Sequence, residues 1–176
     1  MRKAIILLAT FLASHAVAES RHAGAHVHGV NHAKLILSDS SLQISYEFPI
    51  VQLAKYDEHK HDEHKHDELA EQLAEINSIT TLVAIPDGAN CSQSNIRQEL
   101  RAVASTGHDD EHASHKDVII EAVLTCKNPS VLNSMDFSPA FNNFDDVEKI
   151  KVEGILGTQS ISGTLTARKA VIHFDS

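Results

Sequence analysis

KLILSDSSLQISYEFP, residues 34–49, is the stretch whose reading decides the fold. Leu35 and Leu37 fall on one side of its first arm, and Leu42, Ile44, Tyr46 and Phe48 alternate along its second. This period of two marks half-buried strands. Asp39-Ser40 supplies turn residues between the arms. Pro49 ends the return strand, because proline cannot donate to a ladder. The unit is a β-hairpin.

The same pattern recurs downstream. Ile96, Leu100 and Ala102 alternate with Arg97, Glu99 and Arg101, and Val118, Ile120, Ala122, Leu124 and Cys126 alternate with Ile119, Glu121, Val123 and Thr125. Paired antiparallel, these strands form a longer hairpin whose tip spans residues 105–116. TLVAI (81–85) reads as a short strand stopped by Pro86-Asp87-Gly88. VEKIKVEGIL (147–156), GTLTA (163–167) and KAVIHF (169–174) read as closing strands. Leu69, Leu73 and Ile76 form one helical stripe, and Asn128-Pro129 opens a second short helix in PSVLNSM (129–135). The expected class is α+β: a mainly antiparallel sheet with one or two short helices on a face, His-rich loops and one disulfide.

Three stretches gather the histidines, and the first of them has no apolar residue that a core could use. DEHKHDEHKHDE (57–68) is one five-residue unit written twice and begun again, with His59, His61, His64 and His66 among carboxylates and lysines. GHDDEHASHKD (107–117) carries His108, His112 and His115. HVHG (26–29) carries His26 and His28, with His32 just beyond and His22 just before. Twelve of the thirteen histidines follow residue 18, and only His173 stands apart from these clumps. Plain solvation explains most charged low-complexity runs. Histidine, however, is mostly uncharged at neutral pH, and the same chemistry recurs in separate segments. Neutral imidazole is the commonest metal-ligating side chain, and zinc accepts nitrogen and oxygen donors together. A repeat of five advances about 500° around a helix, so its histidines do not share a helical face. In an extended chain, His59 and His61 project to one side, as do His64 and His66. The expected metal ligands are therefore His26, His28, His32, His59, His61, His64, His66, His108, His112 and His115. The 57–68 repeat reads as a collecting arm, and HVHG, abutting the first strand, as the better-defined site. Acid sensing is a third reading, since imidazoles titrate near pH 6.5.

MRKAIILLATFLASHAVA (1–18) has a basic start, a short apolar run and an Ala16-Val17-Ala18 cleavage motif, the three parts of a secretory signal peptide. Cleavage after Ala18 leaves a single domain, 19–176, and moves the formal charge from −9 to −11 by removing Arg2 and Lys3. Nucleic acid is then a poor partner, for lack of a basic patch. No later run is long enough for membrane insertion. Cys91 and Cys126, with 34 residues between them, are expected to form a disulfide in an oxidising compartment. The bridge is worth about 4 kcal/mol in the chain-entropy account. Ligation of metal by both thiols is the alternative.

In order along the chain, HVHG, the leucine-rich hairpin ending at Pro49, the acidic His segment, the helix, the Cys91 strand, the second His segment and Cys126-Lys127-Asn128-Pro129 resemble the ZrgA-like family of Gram-negative periplasmic proteins linked to zinc uptake. FNNFDDVEKIKVEGIL (141–156) resembles that family's F-P-G-L-E-x-I-x-V segment, with Asp145-Asp146 in place of proline-glycine. Asn31-His32 reads as an insertion, and Ala54-Lys55-Tyr56 stands where the family has a G-F-E-H run, His59 supplying the equivalent histidine. The resemblance implies a periplasmic Zn²⁺-binding protein that supports a zinc uptake system, with a zinc ABC transporter or its binding protein as partner. The alternative is a periplasmic metal buffer or a copper- or nickel-handling protein, because imidazole sites take Cu²⁺ and Ni²⁺ as tightly as Zn²⁺ or more so. The His26-Val27-His28 spacing also resembles the copper ligands of Cu,Zn superoxide dismutases. A catalytic site needs more histidines held rigidly on a scaffold, so the expectation is that the protein is not an enzyme.

Overall fold

A computed structural model describes residues 29–53, 65–102, 116–144 and 146–174. The opening hairpin is β1 (Val30–Ser38) and β2 (Ser41–Pro49), paired antiparallel from His32↔Glu47 to Ser38↔Ser41. Asp39 takes a positive φ of 51°, which aspartate tolerates better than most residues. The second hairpin is β3 (Cys91–Ala102) and β4 (Lys116–Cys126), and it runs from Cys91↔Cys126 to Ala102↔Lys116. The two hairpins join through an antiparallel β2–β4 ladder. β6 (Lys149–Leu156) and β7 (Gln159–Leu165) complete a six-stranded sheet of order β3-β4-β2-β1-β6-β7.

One face of this sheet is the core. Leu35 on β1, Leu42, Ile44, Tyr46 and Phe48 on β2, Val118, Ile120 and Ala122 on β4, and Ile150 and Val152 on β6 are all buried. A second layer packs against them. It contains α1 (Lys65–Glu75), α2 (Ser138–Asn143) and a two-stranded ribbon of β5 (Ser134–Asp136) with β8 (Val171–His173). Phe137 stacks on Tyr46 at 6.4 Å between ring centroids, and Phe144 meets Phe48 at 5.3 Å. The Tyr46 hydroxyl accepts a 2.9 Å hydrogen bond from Asn31 Nδ2. Burial pushes the Tyr46 pKa up despite that bond, so the phenol stays neutral.

Helix α1 is tied to the edge strand by glutamines. Gln98 Nε2 donates to the carbonyls of Leu73 (2.6 Å) and Ile76 (2.8 Å) at the C-terminal end of the helix, where the Leu73 carbonyl also accepts the Ile76 amide at 3.0 Å. Gln93 Nε2 donates to the Asn77 carbonyl, and Gln93 Oε1 accepts from the Ile79 amide. The chain therefore passes Gln98 first and Gln93 second. The segment from Leu73 to Ile79 thus runs antiparallel to β3.

Both hairpins, the Leu69–Ile76 stripe, the closing strands and the disulfide follow the sequence reading, in a fold that among the described residues is mostly β-sheet with two α-helices. Three features differ. Residues 81–85 are not a strand. Ile79, Leu82 and Val83 are buried, a spacing of three and four. The amides of Leu82 and Val83 both donate to the Ile79 carbonyl at 2.9 Å, so the segment coils, and only Ala84 bridges to Asp136. PSVLNSM is a single 3-10 turn, Pro129–Val131, followed by β5. The second helix is instead α2, whose start is held by Asp136 Oδ1 accepting from the Ser138 amide (2.8 Å) and hydroxyl (2.6 Å). The 57–64 and 105–115 parts of the expected His-rich loops lie outside the described residues.

The third difference is parallel pairing. β1 pairs in parallel with β6 over Val30↔Lys149 to Leu37↔Leu156. The contact depends on Gly154, opposite Leu35: a β-carbon there would overlap the Leu35 carbonyl and approach its Cβ at 2.9 Å. Gly154→Ala is expected to cost about 1–3 kcal/mol by overpacking, read as a lower urea midpoint. An unchanged midpoint would contradict the parallel register.

Candidate metal centre

The strand registers place Val30, Pro49, Ala102 and Lys116, the strand ends nearest the histidine-rich segments, at one end of the sheet. β1 begins there at Val30, β2 ends there at Pro49, and Pro49 pairs with Asp117. β3 ends at Ala102, opposite Lys116. His28 is covalently one residue from Gly29. His59 is six residues beyond Leu53, and His108 is six beyond Ala102. The opposite end carries the Asp39-Ser40 turn and the Cys91–Cys126 disulfide.

Gly29 fixes where the HVHG motif leaves the fold. Its carbonyl accepts the amides of both Glu148 and Lys149 at 2.9 Å, and its φ is +76°. A β-carbon would lie 2.7 Å from Glu148 Cγ and 3.1 Å from the Asp146 carbonyl oxygen. Only glycine suits both the conformation and the space. HVHG and FNNFDDVEKIKVEGIL, far apart in sequence, thus meet at this clasp. Asp146 itself has φ 61°, so it occupies a left-handed position that a glycine adopts without strain.

Of the ten expected ligands, His32 has a described side chain. It lies half-buried on β1, on the face opposite the core, directly across from Glu47 and beside Lys151. β1 pairs with β6 from Val30 and with β2 from His32, so both Asn31 and His32 are regular strand positions. His66 falls within α1. His26, His28, His59, His61, His64, His108, His112 and His115 lie outside the described residues. Among the described residues, no group of three or more His, Cys, Asp or Glu side chains could hold a metal ion. Cys91 and Cys126 form a disulfide, which removes them as thiolate ligands.

The carboxylates near the attachment end went unremarked in the sequence reading. Glu47 faces His32, Glu148 packs on Gly29, and Asp117 is buried at 2% exposure one row nearer the end. A signal for Glu47 was present. A two-residue turn at Asp39-Ser40 fixes paired positions to sum to 79, which sets His32 against Glu47.

One family model, described as ZrgA family zinc uptake protein, matches residues 25–174. No curated protein matches the chain. Among the described residues, no helix is long and apolar enough to cross a membrane.

Gly29→Ala is expected to lower stability by about 1–2 kcal/mol, from the left-handed backbone alone, with the Glu148 clash adding to it. Thermal unfolding checks this. A melting temperature equal to that of the parent would remove the clasp from the account.

Proposed function

Since the chain belongs to the ZrgA family of zinc uptake proteins, we propose that it is an exported periplasmic protein that captures Zn²⁺ through its histidine clusters. It then passes the ion to a zinc ABC transporter or its binding protein. The zinc is cargo, and the protein acts stoichiometrically, not as an enzyme. His26, His28, His32, His59, His61, His64, His66, His108, His112 and His115 supply the imidazoles.

One observation supports this reading above the others: the attachment points share one sheet end. Adjacent strands lie about 4.8 Å apart, so β1 and β3, three spacings apart, are separated there by about 14 Å. Six residues of chain reach at most about 20 Å. His28, His59 and His108 are therefore tethered within reach of one shared volume. The sheet bears the cost of assembling distant parts of the chain, which otherwise rises with loop length. Tethered ligands then meet the ion at high effective concentration. Placing one clump at the disulfide end would have prevented this.

Formal charge adds to the effect. With the signal segment removed, the chain carries −11, which favours encounter with a cation. Because imidazole must be deprotonated to bind, protons compete with zinc. Zinc affinity is thus highest above the ordinary imidazole pKa of about 6.5 and falls as pH drops through it.

Isothermal calorimetry of the protein with Zn²⁺ should show binding at pH 7.5 that weakens by more than tenfold at pH 5.5. Deleting residues 57–68 should reduce the number of ions bound while leaving the melting temperature of the metal-free protein within a few degrees. Absence of zinc binding at pH 7.5 would overturn the reading.

A further inference from the structure

The two edges of the six-stranded sheet are built differently. The β3 edge carries Arg97, Glu99 and Arg101, and its register shifts between Gln93 and Asn95. Charges and bulges on an edge strand keep a further strand from adding to it. β7 is the other edge. Its sequence, QSISGTL, has no charged residue and no proline, and its pairing with β6 is regular from Ile150↔Leu165 to Leu156↔Gln159. Neither device that protects β3 is present on β7. Among the described residues, no strand pairs with its outer side.

That outer side offers backbone groups to pair with. The two-residue turn Gly157-Thr158 closes on Leu156↔Gln159, with Gly157 at φ 62°, the left-handed geometry of a tight hairpin. Such a turn closes on a hydrogen-bonded pair, so Gln159, Ile161, Gly163 and Leu165 direct their amides and carbonyls to β6. Ser160, Ser162 and Thr164 direct theirs outward, and these three residues are exposed. The β5–β8 ribbon meets β7 on its core face, where a β-carbon on Gly163 would stand 3.3 Å from Ile172 Cδ1, and it leaves the edge open.

We propose that β7 pairs antiparallel with β7 of a second copy of this chain, about a two-fold axis at Ser162, joining the two sheets into one. The register follows from overlap. Centring on Ser162 sets Gln159 against Leu165, Ser160 against Thr164 and Ile161 against Gly163, so the whole strand takes part, whereas any other centre leaves residues unpaired. Each copy presents the same surface to the other, as a closed dimer requires. The direction follows from charge. Arg168 and Lys169 are exposed just beyond the Leu165 end, and the Gly157-Thr158 end is uncharged. Antiparallel pairing sets each basic end beside the other copy's uncharged turn; parallel pairing would set the basic ends together. Two chains of formal charge −11 repel, and an uncharged strand is where they meet with no like charges opposed. The ladder spans about 23 Å, a small interface, so the dimer is weak and depends on concentration. It turns the two attachment ends in opposite directions and does not rest on the zinc-capture reading.

The test is sedimentation equilibrium of the full chain over a concentration series, with a chelator present so that no metal bridges the copies. A monomer–dimer equilibrium is expected. Ser160→Glu combined with Thr164→Glu sets two pairs of like charges across the ladder, while the new carboxylate at position 164 faces Lys151 within its own copy. This variant should weaken the dimer about fivefold or more. Ser160→Lys combined with Thr164→Glu sets opposite charges at the same two pairs and should tighten the dimer beyond the parent. Melting curves establish that each variant is folded; if the double-glutamate variant is not, the lysine–glutamate variant decides. Monomer at every concentration up to about 1 mM would overturn the proposal. So would a dimer that forms only with zinc, or one that responds to neither charge change.

Discussion

The β2–β4 ladder is the constraint on which the functional end depends. Each hairpin is local and closes on its own turn or bridge. What joins them is the pairing from Ser41↔Thr125 to Pro49↔Asp117, driven by burial of Leu42, Ile44, Tyr46 and Phe48 against Val118, Ile120, Ala122 and Leu124. A slip of one residue would turn those side chains out and bring Glu47, Glu121 and Asp117 into the core. The register is therefore strongly specified. The same ladder fixes where β2 stops at Pro49 and where β4 starts at Lys116.

Much of this was legible in the sequence, for a physical reason. The hairpins announce themselves because alternation at period two and turn residues such as Asp39-Ser40 are local signals. The α1 stripe is equally local. Parallel pairing of β1 with β6 is not: its partners are over a hundred positions apart, and its requirement for Gly154 opposite Leu35 appears only once the strands are side by side. Residues 81–85 misled because a short apolar run read alone cannot be told from a coil by periodicity. Only the shared acceptor at Ile79 reveals the coil.

The candidate site was legible by residue type and not by company. Histidine clumps stand out in composition, whereas Glu47 and Glu148 are ordinary glutamates until the register and the Gly29 clasp put them beside His32 and HVHG. The clasp also alters how the family-like motifs are understood. Glycine in HVHG is explained by a left-handed backbone pressed against Glu148, a packing requirement just before the first strand. The DEHKH repeat needs no such precision.

The central claim is that zinc is gathered at that one end. Anomalous diffraction at the zinc absorption edge, from crystals of the zinc-loaded protein, locates the ions directly. The account predicts peaks beyond Gly29, Pro49 and Ala102. Peaks confined to the Asp39 turn, the disulfide end or the β5–β8 ribbon would contradict it.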